Sequence, residues 1–148
     1  MKTFKELIDE CLKTVNEVSP QDLREAMENE KQAPLLLDIR ELYEFEVSHI
    51  KSSRNVPRGI LEPACDYGYD DTVPELVAAR DKEIVVICRS GGRSALAAKT
   101  MQQMGYQSVK SLKTGVKGWN DCGLPLQNIH GEAVDINKVD ALLASILH

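Results

Sequence analysis

The sequence predicts an α/β protein in which a mainly parallel sheet is flanked by helices. Two short apolar runs, at residues 35–39 and 83–88, lack polar alternation and are typical of strands covered on both faces. Segments with apolar residues at helical spacing alternate with these strands. The 148 residues, 43% hydrophobic and 28% charged, match one ordinary globular domain. Disordered, collagen-like and disulfide-scaffold proteins are therefore excluded.

Two helices are predicted at the start of the chain. Apolar residues at helical spacing between Phe4 and Val15 form one stripe, which indicates an amphipathic helix within residues 2–17. Ser19 and Pro20 suit the cap and the first turn of a second helix, which ends near residue 29.

Strands and helices alternate through the middle of the chain. They are predicted at 35–39 (strand), 41–47 (helix), 54–56 (strand), 74–80 (helix), 83–88 (strand), 93–104 (helix), 107–112 (strand) and 116–121 (helix). Residues 59–72 carry mixed, turn-like signals and predict a solvated loop. After Pro125 the alternation stops, and a final amphipathic helix is predicted from the apolar residues Val134, Val139, Leu142, Leu143, Ile146 and Leu147.

The charge pattern limits the partners and the location of the protein. Acidic residues outnumber basic ones by 23 to 18, and no basic run is present, which disfavours nucleic-acid binding. The charged first ten residues lack the apolar core of a secretory signal. The apolar runs are far shorter than the roughly 20 residues that span a bilayer. We expect a cytoplasmic protein that binds neither membranes nor nucleic acid.

The cysteines and histidines predict no metal site. No two cysteines form a C-x-x-C pair, and we expect free thiols in a reducing compartment. The cysteines are Cys11, Cys65, Cys88 and Cys122. The histidines, at positions 49, 130 and 148, join them in no zinc-like spacing. Cys11 lies on the apolar stripe of the first helix and is interpreted as core.

The predicted site is the segment Cys88–Ser94, with the sequence CRSGGRS. Its cysteine ends a buried strand one tight turn before a helix, where open α/β sheets place their ligands. The two glycines allow successive amides to converge as a nest for an anion, and the helix adds its positive end. Arg89 and Arg93 add full charges. These features favour the nucleophilic thiolate over a buried structural thiol.

Four groups of motifs follow one another along the chain. They are SPQDL at 19–23; LDIRE, YEF, HI and NVPRG between 37 and 59; CRSGGRS at 88–94; and GY at 105–106 with Leu112, Gly115 and Trp119. In this order and spacing the chain resembles the rhodanese family from about Ser19 to Pro125. The resemblance implies a rhodanese-like three-layer fold, with extra helices at both ends.

The resemblance also implies sulfur transfer in two steps. A Cys88 thiolate takes the outer sulfur of an anionic donor such as thiosulfate, and a thiol or cyanide acceptor removes it from the resulting persulfide. The partners would be a small anionic donor and a thiol acceptor, either a small molecule or a protein, with no cofactor. The implied substrate-binding residues are those of the loop: Arg89, Ser90, Gly91, Gly92, Arg93 and Ser94.

Other charged residues of the first signature have supporting roles in this interpretation. Asp38 and Arg40 end a buried strand, which favours a hydrogen-bonded pair that fixes nearby loops. Arg58 is the member of this group that could reach the substrate. His49 is not expected to act as a general base, because an ionised thiolate needs none. Trp119 is interpreted as core.

Two alternative functions remain open. The first is a rhodanese-like module that binds or regulates without turnover, although the complete loop argues against it. The second is a cysteine-loop phosphatase or arsenate reductase, which needs C-x5-R around a tetrahedral oxyanion. Here the spacing is C-x4-R, because Ser94 stands where that arginine would be. In the rhodanese family, loops with this smaller ring of amides hold sulfur at the cysteine and not phosphate.

Two additions extend the bare domain. The predicted division is an N-terminal helical extension at 1–18, the rhodanese domain at 19–127 and a C-terminal helical tail at 128–148, all within one compact domain. The extensions could cover the domain, form a homodimer contact or dock a partner. Cys65 is a candidate resolving thiol for the persulfide, and Cys122 is a weaker one.

Overall fold

The structure, a computed structural model, describes residues 1–147. His148 and the side chain of Leu147, both used in the sequence predictions, lie outside the described part. The helices and strands are α1 (Phe4–Cys11), β1 (Asn16–Val18), α2 (Pro20–Glu28), β2 (Leu35–Asp38), α3 (Leu42–Val47), β3 (Arg54–Asn55), α4 (Leu61–Ala64), α5 (Pro74–Val77), β4 (Glu83–Ile87), α6 (Gly92–Gln103), β5 (Ser108–Leu112), α7 (Gly115–Asp121), β6 (Leu126–Gln127), β7 (Ala133–Val134) and α8 (Ile136–Leu147).

Five parallel strands form the main sheet, in the order β1-β5-β4-β2-β3. The central strand β4 pairs with β2 on one side and β5 on the other; Ile84 stands opposite both Leu35 and Val109. Because all five strands run the same way, their carboxyl ends share one edge of the sheet. Cys88 follows β4 at that edge. The predicted α/β fold with a mainly parallel sheet is confirmed.

Helices cover both faces of this sheet. Ile84 and Val86 of β4 point into an apolar cluster with residues of α4, α5 and α6. Val85 and Ile87 point the other way, into a cluster with residues of α2, α7 and α8. The absence of polar alternation in the strand sequences thus reflects burial on two sides. The result is the expected three-layer arrangement.

The N-terminal extension differs from the prediction of one helix over residues 2–17. Helix α1 ends at Cys11, which is buried as expected. Residues 16–18 then form an edge strand, and Val18 stands opposite Leu112 of β5. Three residues are too few to show the periodicity of a strand, so pairing with β5 decided their conformation. The segment 1–18 is therefore partly a sheet element.

The loop and the tail also contain elements that the sequence did not predict. Residues 58–60 form a 3-10 turn that leads into α4, and α4 lies within the segment 59–72 predicted as a solvated loop. Leu61 and Ala64 of α4 are fully buried. Near the end, Leu126 pairs with Val134 in the antiparallel hairpin of β6 and β7. Val134, predicted to lie in the last helix, is in this hairpin, and the helix begins at Ile136.

Candidate active site

The Cys88 sulfur lies inside the loop between β4 and α6. The side chain is 1% exposed. The main-chain N–H groups of Gly91 and Ser94 donate to its Sγ at 3.1 and 3.3 Å, and the Ser94 hydroxyl lies 3.2 Å from the same atom. Gly91 has φ +98°, a left-handed conformation that turns its N–H toward the sulfur. The loop thus forms a small cup of donors around one sulfur atom.

A second serine supports this cup. Ser94 Oγ lies 2.7 Å from Ser111 Oγ, and both side chains are fully buried. When Ser111 donates to Ser94, the Ser94 hydroxyl is free to donate to the sulfur. Sequence reasoning missed Ser111. The available signal was a serine at a buried position of β5, where an apolar residue is the norm.

Helix α7 holds the loop from behind. The N–H groups of Val116 and Lys117 donate to the carbonyls of Cys88 and Arg89 at 2.9 and 3.0 Å. Gly115, at φ +62°, allows this approach, because a Cβ there would overlap the Arg89 carbonyl. The closing signature in the sequence therefore contributes to the site through the main chain of the loop.

Helix α1 packs over the start of α6. A Cβ placed on Gly92 would lie 2.8 Å from Ile8 Cδ1 and 3.0 Å from Phe4 Cζ. Gly92 is therefore the point at which the N-terminal extension reaches the loop. Ser90 is exposed at the loop tip.

Both loop arginines form ion pairs with carboxylates. Arg93 donates to the two oxygens of Glu44 at 3.0 Å each, and Arg89 donates to Asp140 of α8 at 2.8 and 3.4 Å. A hydrogen bond to the partner carboxylate raises the pKa of each arginine. Burial alone would raise the pKa of Glu44, but hydrogen bonds from Arg93 and from the Glu41 backbone lower it overall. The predicted donor-binding arginines thus already have anionic partners.

The supporting residues lie beside the loop or away from it. Asp38 and Arg40 form a buried ion pair at 2.7 Å, and Arg40 also donates to the Ser48 carbonyl at 2.6 Å. This pair joins the end of β2 to the end of α3. Arg58 instead bonds to Glu62 and to Thr100. Thr100 lies eight residues into α6, about 12 Å from its start, so this contact holds Arg58 at a distance from the Cys88 loop.

The remaining candidates are placed as structural groups or outside the loop. Cys65 is fully buried, and burial raises the pKa of its thiol, which disfavours its predicted role as a resolving thiol. Cys122 is exposed after α7. His49 stacks on Phe45, with ring centroids 3.9 Å apart, and its Nδ1 lies 2.7 Å from the Phe45 carbonyl. Trp119 is buried, and its Nε1 donates to the Pro125 carbonyl.

Residues 1–147 contain neither a grouped set of metal ligands nor a membrane-spanning helix. Within this range, no three or more His, Cys, Asp or Glu side chains are grouped so that they could hold a metal ion. No helix in the same range has the length and apolar character needed to cross a membrane.

Known proteins resemble this chain in sequence and in fold. The thiosulfate sulfurtransferase GlpE of Pseudomonas aeruginosa is 30% identical over 122 residues, which cover 81% of this chain and 96% of that protein. The adenylyltransferase and sulfurtransferase UBA4 of Candida albicans is 33% identical over 104 residues, 70% of this chain but only 23% of that protein. A structure from Rhodopseudomonas palustris, of unknown function and described as a possible tyrosine phosphatase, has a TM-score of 0.78 and 30% identity, covering 86% of this chain and 96% of that one.

The family match agrees with the position of the loop in the chain. The family described as the rhodanese-like domain matches residues 19–122. This range includes the cysteine loop and every strand of the main sheet except β1. Both relatives in sequence described above, GlpE and UBA4, are named as sulfurtransferases. The chain therefore belongs to the rhodanese-like domain family.

Proposed function

We propose that this protein is a sulfurtransferase that carries sulfane sulfur as a persulfide on Cys88. The observation that carries the proposal is the set of contacts to the Cys88 sulfur. The N–H groups of Gly91 and Ser94 donate to it, and the Ser94 hydroxyl oxygen lies 3.2 Å away. Donors aimed at a sulfur atom favour its negative form, both as the attacking thiolate and as the terminal sulfur of a persulfide.

The first step loads the cysteine. The Cys88 thiolate attacks the outer sulfur of thiosulfate, a new S–S bond forms, and the S–S bond of thiosulfate breaks. The electron pair of that bond leaves with sulfite. Charge is conserved, because a thiolate and a thiosulfate dianion give a persulfide anion and a sulfite dianion. No proton has to move when the cysteine starts as a thiolate.

The second step unloads it. An acceptor thiolate or cyanide attacks the terminal sulfur of the persulfide, and the Cys88 sulfur leaves as a thiolate. The same donors that favour the attacking thiolate also stabilise this leaving group. The sulfur atom moves as a neutral atom between two nucleophiles, so no external oxidant or reductant is consumed.

We further propose a cytoplasmic location. The support is the state of the cysteines, since Cys11, Cys65, Cys88 and Cys122 are all free thiols. Free thiols are typical of a reducing compartment.

Intact mass spectrometry after thiosulfate treatment tests the proposal. We expect one added sulfur atom and one released sulfite per wild-type chain, and neither with Cys88→Ser. Cys122→Ser, which removes an exposed thiol, is the matched control and should load like wild type. Loading of Cys88→Ser, or no loading of wild type, would contradict the proposal. Hydrolysis of p-nitrophenyl phosphate by wild type but not by Cys88→Ser would favour the phosphatase alternative.

A further inference from the structure

The residue after the cysteine is held by the C-terminal helix. Arg89 Nη2 and Nη1 donate to the two Asp140 oxygens at 2.8 and 3.4 Å. The Arg89 side chain is 42% exposed and that of Asp140 is 37% exposed. A dissolved ion can therefore approach the pair directly, and salt screens it.

Four charged side chains surround the loop, and their charges cancel. Arg89 and Arg93 are cationic, whereas Asp140 and Glu44 are anionic partners of the same two guanidinium groups. Arg89, Glu44 and Asp140 also line one cavity of about 170 Å³ between α3, the loop and α8. In this cavity, which Arg89 joins to the cysteine loop, an anion thus meets carboxylates as well as guanidinium groups.

The charge of the donor then matters. Thiosulfate carries two negative charges, and it has to compete with a carboxylate for each arginine. A donor with one negative charge experiences about half of this Coulomb repulsion at the same distance. Of the two carboxylates, Glu44 also caps α3, where its side chain accepts from the Glu41 N–H at 3.1 Å. The Asp140 side chain, by contrast, accepts hydrogen bonds from Arg89 and from no other residue within 1–147.

We infer that Asp140 is a specificity-determining residue that biases sulfur transfer away from dianionic donors and toward donors with one negative charge. This inference rests on the proposed function. Asp140 acts through Arg89 and takes no part in bond making, so its removal changes donor binding and leaves the chemical step intact.

The test compares two donors in the variant Asp140→Asn. Thiosulfate is the dianionic donor. Methanethiosulfonate, in which a methyl group replaces one oxyanion, is the monoanionic donor, and its leaving group after sulfur transfer is methanesulfinate. We expect KM for thiosulfate to fall about threefold at low salt, the size typical of an exposed ion pair, with kcat unchanged. KM for methanethiosulfonate should fall by about half as much on a logarithmic scale. Asp140→Glu should restore wild-type values.

Two controls separate a charge effect from a structural one. Glu83→Gln removes one carboxylate from an equally exposed pair with Lys110, about 16 Å from the cysteine at the amino end of β4, and should leave both KM values unchanged. The thiosulfate effect should also shrink as ionic strength rises.

The contradicting outcomes are distinct. Equal KM changes for both donors would indicate loosening of α8 and overturn the inference, as would no change at all. Failure of wild type to load sulfur from either donor would instead overturn the proposed function.

Discussion

Two buried cysteines, Cys88 and Cys65, lie in the same apolar cluster and have different surroundings. They are 1% and 0% exposed. The Cys88 sulfur accepts two main-chain N–H groups, whereas no main-chain N–H of residues 1–147 donates to the Cys65 sulfur. Burial raises the pKa of the Cys65 thiol, and the neighbouring Tyr106 hydroxyl only partly offsets this. The two sulfurs thus differ in their main-chain surroundings, because only the Cys88 loop aims N–H groups at its sulfur among residues 1–147.

The difference originates in the local main chain. Cys65 follows the short helix α4, and its N–H is used by the helix, bonding to the carbonyls of Leu61 and Glu62. Its own carbonyl accepts from Arg80 at 2.6 Å. In the Cys88 loop, by contrast, left-handed Gly91 redirects an N–H inward, and α7 satisfies the carbonyls from outside. The main-chain groups around Cys65 therefore stabilise a helix end, and those around Cys88 are available to the sulfur.

The largest effect is expected from a substitution that distorts the Cys88 loop and does not alter the surroundings of Cys65. Gly115→Ala should lower sulfur transfer at least about a hundredfold, because its Cβ overlaps the Arg89 carbonyl and displaces the donors. The measurement is the rate of sulfite release from thiosulfate. Gly123→Ala is the control, since Gly123 also has a positive φ, +77°, but nothing within 4 Å of its Cβ position. A Gly115→Ala variant that releases sulfite as fast as the Gly123→Ala variant would show that α7 does not hold the loop.

A smaller effect tests the side-chain donor at Cys88. Ser94→Ala should lower kcat/KM for thiosulfate about tenfold, because the hydrogen bond between Cys88 Sγ and Ser94 Oγ is lost while the two N–H donors remain. Ser111→Ala should lower it less, since Ser111 acts through Ser94. If Ser111→Ala lowers kcat/KM more than Ser94→Ala does, Ser111 does not act through Ser94.

The smallest expected effect concerns Cys65 and pH. Its pKa is raised above the ordinary value of 9.0, so above pH 9 the native state holds a proton that the unfolded state has released. The free energy of unfolding should therefore fall as pH rises from 9 toward the raised pKa. Burial raises the pKa of Tyr106 as well, which adds a loss in the same direction at higher pH.

Urea unfolding between pH 8 and 10 measures this dependence. Cys65→Ala should show a shallower decline than wild type, whatever its stability at pH 8, and should retain sulfur transfer within about twofold, since the side chain lies outside the donor cup. An identical decline of the unfolding free energy in both proteins would show that the pKa of Cys65 is not raised in the native state. Loss of turnover in Cys65→Ala would instead favour a resolving role for this thiol.

The sequence predicted the parts of the fold that depend on local patterns. Ser19 accepts from the Asp22 N–H as a helix cap. The strands predicted at 35–39 and 83–88 are present as β2 and β4, each one residue shorter. The cysteine loop was found for the same reason, because its turn, its glycines and its arginines are consecutive. The predicted domain limits at residues 19 and 127 stay predictions.

Contacts between distant segments were not predictable from one sequence. Asp140 is 51 residues from Arg89, and nothing in the pattern of α8 distinguishes it from the other exposed polar positions of that helix. Strand β1 exists because Val18 meets Leu112 in the folded chain. The pairing partner of Arg93, Glu44, is 49 residues away and was assigned only to the family signature. Tertiary packing decides such contacts, and local propensity does not.

Both outer strands of the sheet are very short: β1 has three residues and β3 has two. A brief edge offers few free main-chain groups to a strand from another molecule, which is a common protection against aggregation. A protein acceptor would therefore meet this chain through side chains, with no continuous sheet formed across the contact. Contact through side chains alone would be readily reversible, which suits the proposed transfer of sulfur to an acceptor.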